Sequence, residues 1–184
     1  MEIREPSAVH DIWDGIIEGK YVTYSKKHFG QVAGLYKNSK GVNKDTVVYT
    51  VYSHDCADKS KKGELYWGLT ILEPVYPNGE CNMTRGHFHM DRECAEYYFG
   101  IAGSGLLLLM DENRNMWAEK VFKGSLHHID GHWAHRLINT GDVQLKVGAC
   151  WPVAAGHDYE AIEKMEFPYR VFREKGKIIF ERRD

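Results

Sequence analysis

From residue 46 onward the chain alternates between short apolar-rich segments and glycine-centred breaks. "TVVYTVYSH" (46–54) is β-branched and aromatic, and "GELYWGLTILEPV" (63–75) continues in the same way. "ECAEYYFGIAG" (93–103), "SGLLLLMDE" (104–112), "NMWAEKVF" (115–122), "HRLINT" (135–140) and "VQLKVGACWPV" (143–153) follow. The breaks fall at "PNG" (77–79), "GSG" (103–105), "DENRN" (111–115), "FKGS" (122–125) and "NTGD" (139–142). Short strands at near-regular spacing, separated by turn residues, predict an all-β sandwich or barrel. The first 44 residues carry only brief apolar pieces, "GIIEG" and "QVAGLY", with no helical period, and are expected to form an irregular or extended N-terminal arm. "DYEAIEKM" (158–165), with Asp158 near its start, predicts one short helix, and "GKIIFERR" (176–183) a closing strand. With no repeat or linker, the expectation is a single domain over 1–184: an arm (1–44), a barrel core (45–155) and a C-terminal helix and strand (156–184).

Composition narrows the partners more than the fold. A chain of 184 residues with 43% hydrophobic and 27% charged residues can bury a sizeable core in water. A formal net charge of −2 gives no field that favours nucleic acid or an anionic membrane. The longest apolar stretch, "GLLLLM" (105–110), is far short of a membrane span. The start, "MEIREPSAVHDIWDG", is charged where a signal peptide is apolar, so a cytoplasmic protein is expected. The cysteines Cys56, Cys81, Cys94 and Cys150 form no CxxC pair and read as small buried hydrophobes.

The histidines are concentrated. His87, His89, His127, His128, His132, His135 and His157 fall within one part of the chain. Residues i and i+2 of a strand share a face, so His87 and His89 project together and can hold one divalent ion. A carboxylate on a neighbouring strand and a third histidine would complete a four-ligand set with positions left for substrate. "GSLHHIDGHWAHRLIN" (124–139) supplies His135 as another strand begins. Two glutamates follow the first pair. Gly103-Ser104-Gly105 reads as a hairpin turn, which starts the preceding strand near Glu96 and leaves Glu93 in the loop beside Asp91 and Arg92. The reading therefore favours Glu96. His127, His128 and His132 are expected in a loop. Lys26, Lys27, Lys59, Lys61 and Lys62 read as solvated surface, and Trp133 and the aromatics at 97–99 as core or pocket wall.

The two histidine segments resemble the paired motifs of cupins, small antiparallel β-barrels (a double-stranded β-helix, or jelly roll) with a metal near the axis. Gly124, His135 and Asn139 fit the second motif, whereas Asp130 and His132 stand where its proline and second glycine would be. The chain is more similar to one branch, the archaeal-type cupin phosphoglucose isomerases, through Thr84, Gly86, His87, His89, Glu96 and Tyr98, through "WAHR" (133–136) and "AGHDY" (155–159), and through the tyrosine-bearing "VVYTVY" (47–52). That resemblance implies a metal-dependent interconversion of glucose 6-phosphate and fructose 6-phosphate in glycolysis and gluconeogenesis. It implies His87, His89, Glu96 and His135 as metal ligands. Three imidazoles and a carboxylate suit Fe²⁺, Mn²⁺, Ni²⁺, Co²⁺ or Zn²⁺, and the family favours Fe²⁺. It further implies Glu96 as the group that moves hydrogen between C1 and C2 through an enediolate, with a hydride shift as the other route argued for the family. Tyr98 would orient Glu96 or the substrate.

For the phosphate, the same resemblance implies Tyr52, Thr70, Thr84, the Gly86 amide, His157 and Tyr159, with Trp151 where the family often has tyrosine. Strict alternation would set Thr84 and Gly86 on the face opposite His87, so a bulge at Gly86 is required. A homodimer is implied, with the N-terminal arm at its interface. The other readings are a different cupin sugar isomerase or epimerase, an Fe(II) dioxygenase, or a non-catalytic sugar-sensing cupin.

Overall fold

In the computed structural model, residues 1–11, 13, 15–61 and 63–183 are described. The first elements are β1 (Ala8–Asp11), β2 (Ile16–Gly19), β3 (Val22–His28) and the short α1 (Phe29–Val32). They are followed by β4 (Val47–His54), β5 (Leu65–Leu72), β6 (Glu96–Ala102), β7 (Ser104–Met110) and β8 (Met116–Phe122). The last are β9 (Leu126–Ile129), β10 (Ala134–Asn139), β11 (Leu145–Pro152), α2 (Tyr159–Lys164), β12 (Tyr169–Glu174) and β13 (Lys177–Arg182). One sheet has the order β3-β4-β5-β11-β6-β9, a second β10-β7-β8, and β1-β2 and β12-β13 are separate pairs. Every pairing is antiparallel.

Side chains from both larger sheets, among them Val48, Leu72, Leu107, Leu109, Leu137 and Val147, form the main core. All of β10 is buried, and β7 is buried from Leu107 to Met110, so both are covered on two faces. That explains the unbroken apolar run "LLLLM", which alternation alone would not require.

Gly103 is not a hairpin turn. β6 pairs with β11 and β9, whereas β7 pairs with β10 and β8, so the chain changes sheets there. Gly103 has φ +78°, and a Cβ on it would sit 2.3 Å from the Gln144 carbonyl oxygen. Only glycine fits so close a corner.

The N-terminal residues are more ordered than their pattern suggests. β3 pairs with β4 along its length, making this segment an integral strand of the large sheet. The β1–β2 pair packs outside that sheet, where Ile17, Leu69, Ile71 and Ile101 form a second small core. The Trp67 indole N–H donates to His10 Nδ1 at 2.9 Å, tying the pair down. His127 and His128 also lie in a strand, β9, paired with β6. His127 is buried, with Glu119 at 2.6 Å and the Ser125 hydroxyl at 2.9 Å on its two nitrogens. His132 is exposed in the following turn, as expected. Of the cysteines, Cys81 is buried, but Cys56 is exposed. Among the described residues, no helix is long and apolar enough to cross a membrane.

Asn82 anchors the segment that carries the histidine pair. Its amide N–H groups donate to the Val48 and Glu73 carbonyls, each at 2.7 Å, and its oxygen accepts from the Tyr36 hydroxyl at 2.7 Å and the Met83 N–H at 2.9 Å. A fully buried amide with all its polar capacity used fixes this backbone firmly.

Candidate metal centre

His87 and His89 follow that anchor on a segment that is not a regular strand. It touches β10 through isolated bridges, Met83 with Ile138 and His87 with His135. The Thr84 N–H bonds to the Leu137 carbonyl at 3.0 Å and the His87 N–H to the His135 carbonyl at 3.3 Å. Three steps along one chain thus match two along the other, which is a β-bulge. Gly86 lies in it with φ +75°, and a Cβ there would come within 3.0 Å of the His135 carbonyl oxygen. The bulge turns Thr84 to the same side as His87, and both line one cavity.

The ligating atoms of His87, His89, Glu96 and His135 all lie within 4.8 Å of one another. β6 delivers Glu96 and β10 delivers His135, from different sheets. Glu93, by contrast, is exposed, with its N–H on the Asp91 carboxylate at 3.1 Å. His89 Nδ1 is 2.6 Å from the Cys94 carbonyl, and His135 Nδ1 is 3.3 Å from that of Trp133. A carbonyl at Nδ1 fixes the proton there and presents Nε2 to the centre of the cluster, the arrangement that orients metal-bound imidazoles. His89 Nε2 is 2.8 Å from Glu96, and His135 Nε2 is 3.2 Å away but poorly aligned for a hydrogen bond. His87 Nε2 is buried with no partner. A buried nitrogen without a partner is costly, and a cation at this point would satisfy it. The donor set fits a borderline divalent ion.

The local charges agree with one another. Burial alone would raise the Glu96 carboxyl, but His135 and His89 outweigh it and hold it down at about 2. Burial likewise opposes a charge on His89, yet the Glu96 contact wins and raises it. His87 faces other imidazoles and no carboxylate partner, so burial, with His135, His157 and His89, pushes it well down. Burial first, and Glu96 second, raise the Tyr98 phenol well above its usual value.

The cavity above the cluster has a volume of about 360 Å³, within the range of small-molecule sites. Thr70, Thr84, Gly86, Tyr98, His157 and Tyr159, the residues that the family resemblance implies besides Tyr52 and the cluster, all line it. The rings of His157 and Tyr159 stack with centroids 5.7 Å apart and lie beside His87. Trp151 is also in the wall, and a Cβ on Gly68 would meet its ring at 2.8 Å.

Tyr52 is a correction. On β4 the residues facing the cavity are Tyr49, Val51 and Ser53. Tyr52 alternates to the other face, beside Tyr24 at 5.5 Å and the outer core. Lys27 is a second correction. It is half-buried and lines the cavity, opposite Tyr49, whereas Lys26, Lys59 and Lys61 are exposed and Lys62 lies outside the described residues. Arg85 also lines the cavity, over the Tyr159 ring at 4.5 Å. Its place in the bulge gives it this position, which residue type alone does not reveal.

The two facing antiparallel sheets, with three histidines and a glutamate gathered between them in an arrangement that could hold a metal ion, define a cupin. The family model for glucose-6-phosphate isomerase (GPI) matches residues 26–184. The chain belongs to that family, and so to the aldose–ketose isomerases. It is 33% identical over 185 residues to a glucose-6-phosphate isomerase of Thermococcus litoralis, covering 97% of this chain and 95% of that one. It is 36% identical over 182 residues to one of Pyrococcus horikoshii, covering 95% and 94%. A bacterial glucose-6-phosphate isomerase, of Sinorhizobium medicae, is 30% identical over 170 residues, covering 89% and 78%. Among solved structures, an oxalate oxidase matches with TM-score 0.43 and 10% identity, over 74% of this chain and 53% of that chain.

Proposed function

We propose that the chain interconverts glucose 6-phosphate and fructose 6-phosphate with a divalent metal held by His87, His89, Glu96 and His135. The observation that carries this reading is the convergence of those four side chains at the base of a sugar-sized cavity in a member of an isomerase family. When bound, the metal supplies positive charge that polarises the sugar's C1 and C2 oxygens.

The chain's own groups do the rest. Glu96 lines the cavity beside the cluster, and as a carboxylate it takes the C2 proton and returns it to C1. The sugar's hydroxyl proton passes from O2 to O1, so no proton is gained or lost. The same contacts that keep Glu96 ionised make it a weak base, so its grip on the cluster must loosen during the cycle. Tyr98, on the same face of β6, keeps its proton and donates to Glu96 or to a sugar hydroxyl. Thr70, Thr84, the Gly86 amide, His157 and Tyr159 receive the phosphate end, and Trp151 closes the wall against water.

Fe²⁺ is the first candidate metal, with Mn²⁺, Ni²⁺, Co²⁺ and Zn²⁺ as the others the donor set accepts. The family resemblance also supports a cytoplasmic homodimer acting in glycolysis and gluconeogenesis. The test is a coupled assay on EDTA-treated protein reloaded with each ion, with fructose 6-phosphate supplied and glucose 6-phosphate read out. Activity should vanish on chelation and return with Fe²⁺ or Mn²⁺. Full activity in metal-free protein would overturn the mechanism, and binding without turnover in every ion would favour a sugar sensor.

A further inference from the structure

Two cations stand in the wall of the cavity, outside the cluster of histidines. Lys27, on β3, is half-buried, and among the described residues its ammonium has no ion-pair partner. Arg85 lies across Tyr49 from it, stacked over Tyr159 and paired with Glu163 of α2. Both also line an adjoining cavity of about 400 Å³ that contains Glu163 and Glu166. They therefore form a partition. On one side the nearest carboxylates are Glu163 and Glu166. On the other, among the described residues, Glu96 is the one carboxylate of the wall, and it is committed to His89 and His135.

The hydroxyl, amide and imidazole donors assigned above to the phosphate carry no permanent charge. An unpaired ammonium on a low-dielectric wall leaves a positive potential directed at the cavity. A guanidinium offers a planar fork that matches phosphate oxygens two at a time. Glu163 is mostly exposed and offers a single charge, so a phosphate dianion held between both cations would displace it.

We propose that Lys27 and Arg85 are specificity-determining residues that seat the phosphate dianion of the substrate, and that Glu163 holds Arg85 while the seat is empty. The inference rests on the isomerase reading and names what makes that site select a phosphorylated sugar.

The experiment is steady-state kinetics of the metal-loaded enzyme with fructose 6-phosphate, with inorganic phosphate as competitor. Lys27→Gln and Arg85→Gln should each raise KM and the phosphate inhibition constant on the order of tenfold. Turnover at saturation should stay within about threefold. Arg85→Lys should recover part of the loss, which a purely structural defect would not allow. Glu163→Gln should lower KM by about twofold, and a rise there would overturn the tether. Unchanged KM and phosphate inhibition in both glutamine variants, or a fall in turnover with KM unchanged, would overturn the seat. If the wild type isomerises no sugar phosphate, the functional reading fails separately. Calorimetric titration with inorganic phosphate then still decides the seat, since weaker binding in the variants supports it and equal binding overturns it.

Discussion

His89 stands between two acceptors, with Nδ1 2.6 Å from the Cys94 carbonyl and Nε2 2.8 Å from the Glu96 carboxylate. A neutral imidazole has one N–H and can satisfy only one of them. The Glu96 contact therefore favours the imidazolium form of His89 against the cost of burial. A divalent ion needs the Nε2 lone pair, so metal binding must expel that proton. Calorimetric titration of EDTA-stripped protein in buffers of different ionisation enthalpy should show about one proton released per ion. The release should shrink as pH rises through the raised folded value, because His89 is then already neutral. A release of zero at slightly acidic pH would refute this protonation state.

Asp158 links the helix to the cavity. Its carboxylate accepts the Ala161 N–H at 3.0 Å, capping α2, and its backbone bridges Phe88, beside both histidines of the first pair. First the Ala161 N–H and then Arg92 hold its carboxyl below the usual range. Asp158→Ala should lower Tm by roughly 2–4 °C, the effect of about 1 kcal/mol for a lost cap in a chain of this size. A depressed carboxyl contributes stability above its unfolded value of about 3.9, and that contribution disappears as pH falls through the lower folded value. The difference between wild type and variant should therefore be full at neutral pH and fade in acid. Thermal melts across that range check it, and a difference that grows toward acid would contradict it.

The strands from β4 to β8, together with β10 and β11, were readable because their apolar residues are long enough in sequence to establish a period and are cut by glycine turns. β1 and β2 span four residues each and are mostly exposed, too short for a period to emerge. "LHHI" of β9 reads as polar because His127 is buried by Glu119 and Ser125, partners that sequence does not display. The four residues of the cluster were legible through the two matching motifs, although the hairpin that pointed to Glu96 is a change of sheet and the histidine pair lies outside a regular strand. Its surroundings were less so. Tyr52 came from the family resemblance, whereas its register opposite Leu69 places it on the outer face and puts Val51 opposite Thr70. Lys27, in a run of two lysines, gains its meaning only from pairing with Tyr49.

The base role proposed for Glu96 can be tested apart from its proposed place in the metal cluster. Glu96→Gln preserves size and leaves three imidazoles to hold the ion, so the fold should persist, as measured by circular dichroism. At saturating metal, turnover of fructose 6-phosphate should fall by about 10²–10⁴, the range for loss of a general base. Near-wild-type turnover with metal content verified would remove Glu96 from proton transfer and favour the hydride route.

Gly86 sets the backbone conformation that brings Thr84 into the cavity wall. An alanine there must hold φ near +75° and press its methyl within 3.0 Å of the His135 carbonyl oxygen. The left-handed conformation alone costs about 1–2 kcal/mol for a residue with a Cβ, which corresponds to a fall in Tm of roughly 2–8 °C. The chain's other escape is to flatten the bulge. That would rotate Thr84 away from the cavity and pull His87 out of line with His135. Gly86→Ala should thus weaken substrate binding and metal retention together. KM should rise, and less metal should remain after dialysis, even where the protein stays folded at the assay temperature. A variant with wild-type Tm, KM and metal content would show that the bulge does not need glycine and that Thr84 owes its place to something else.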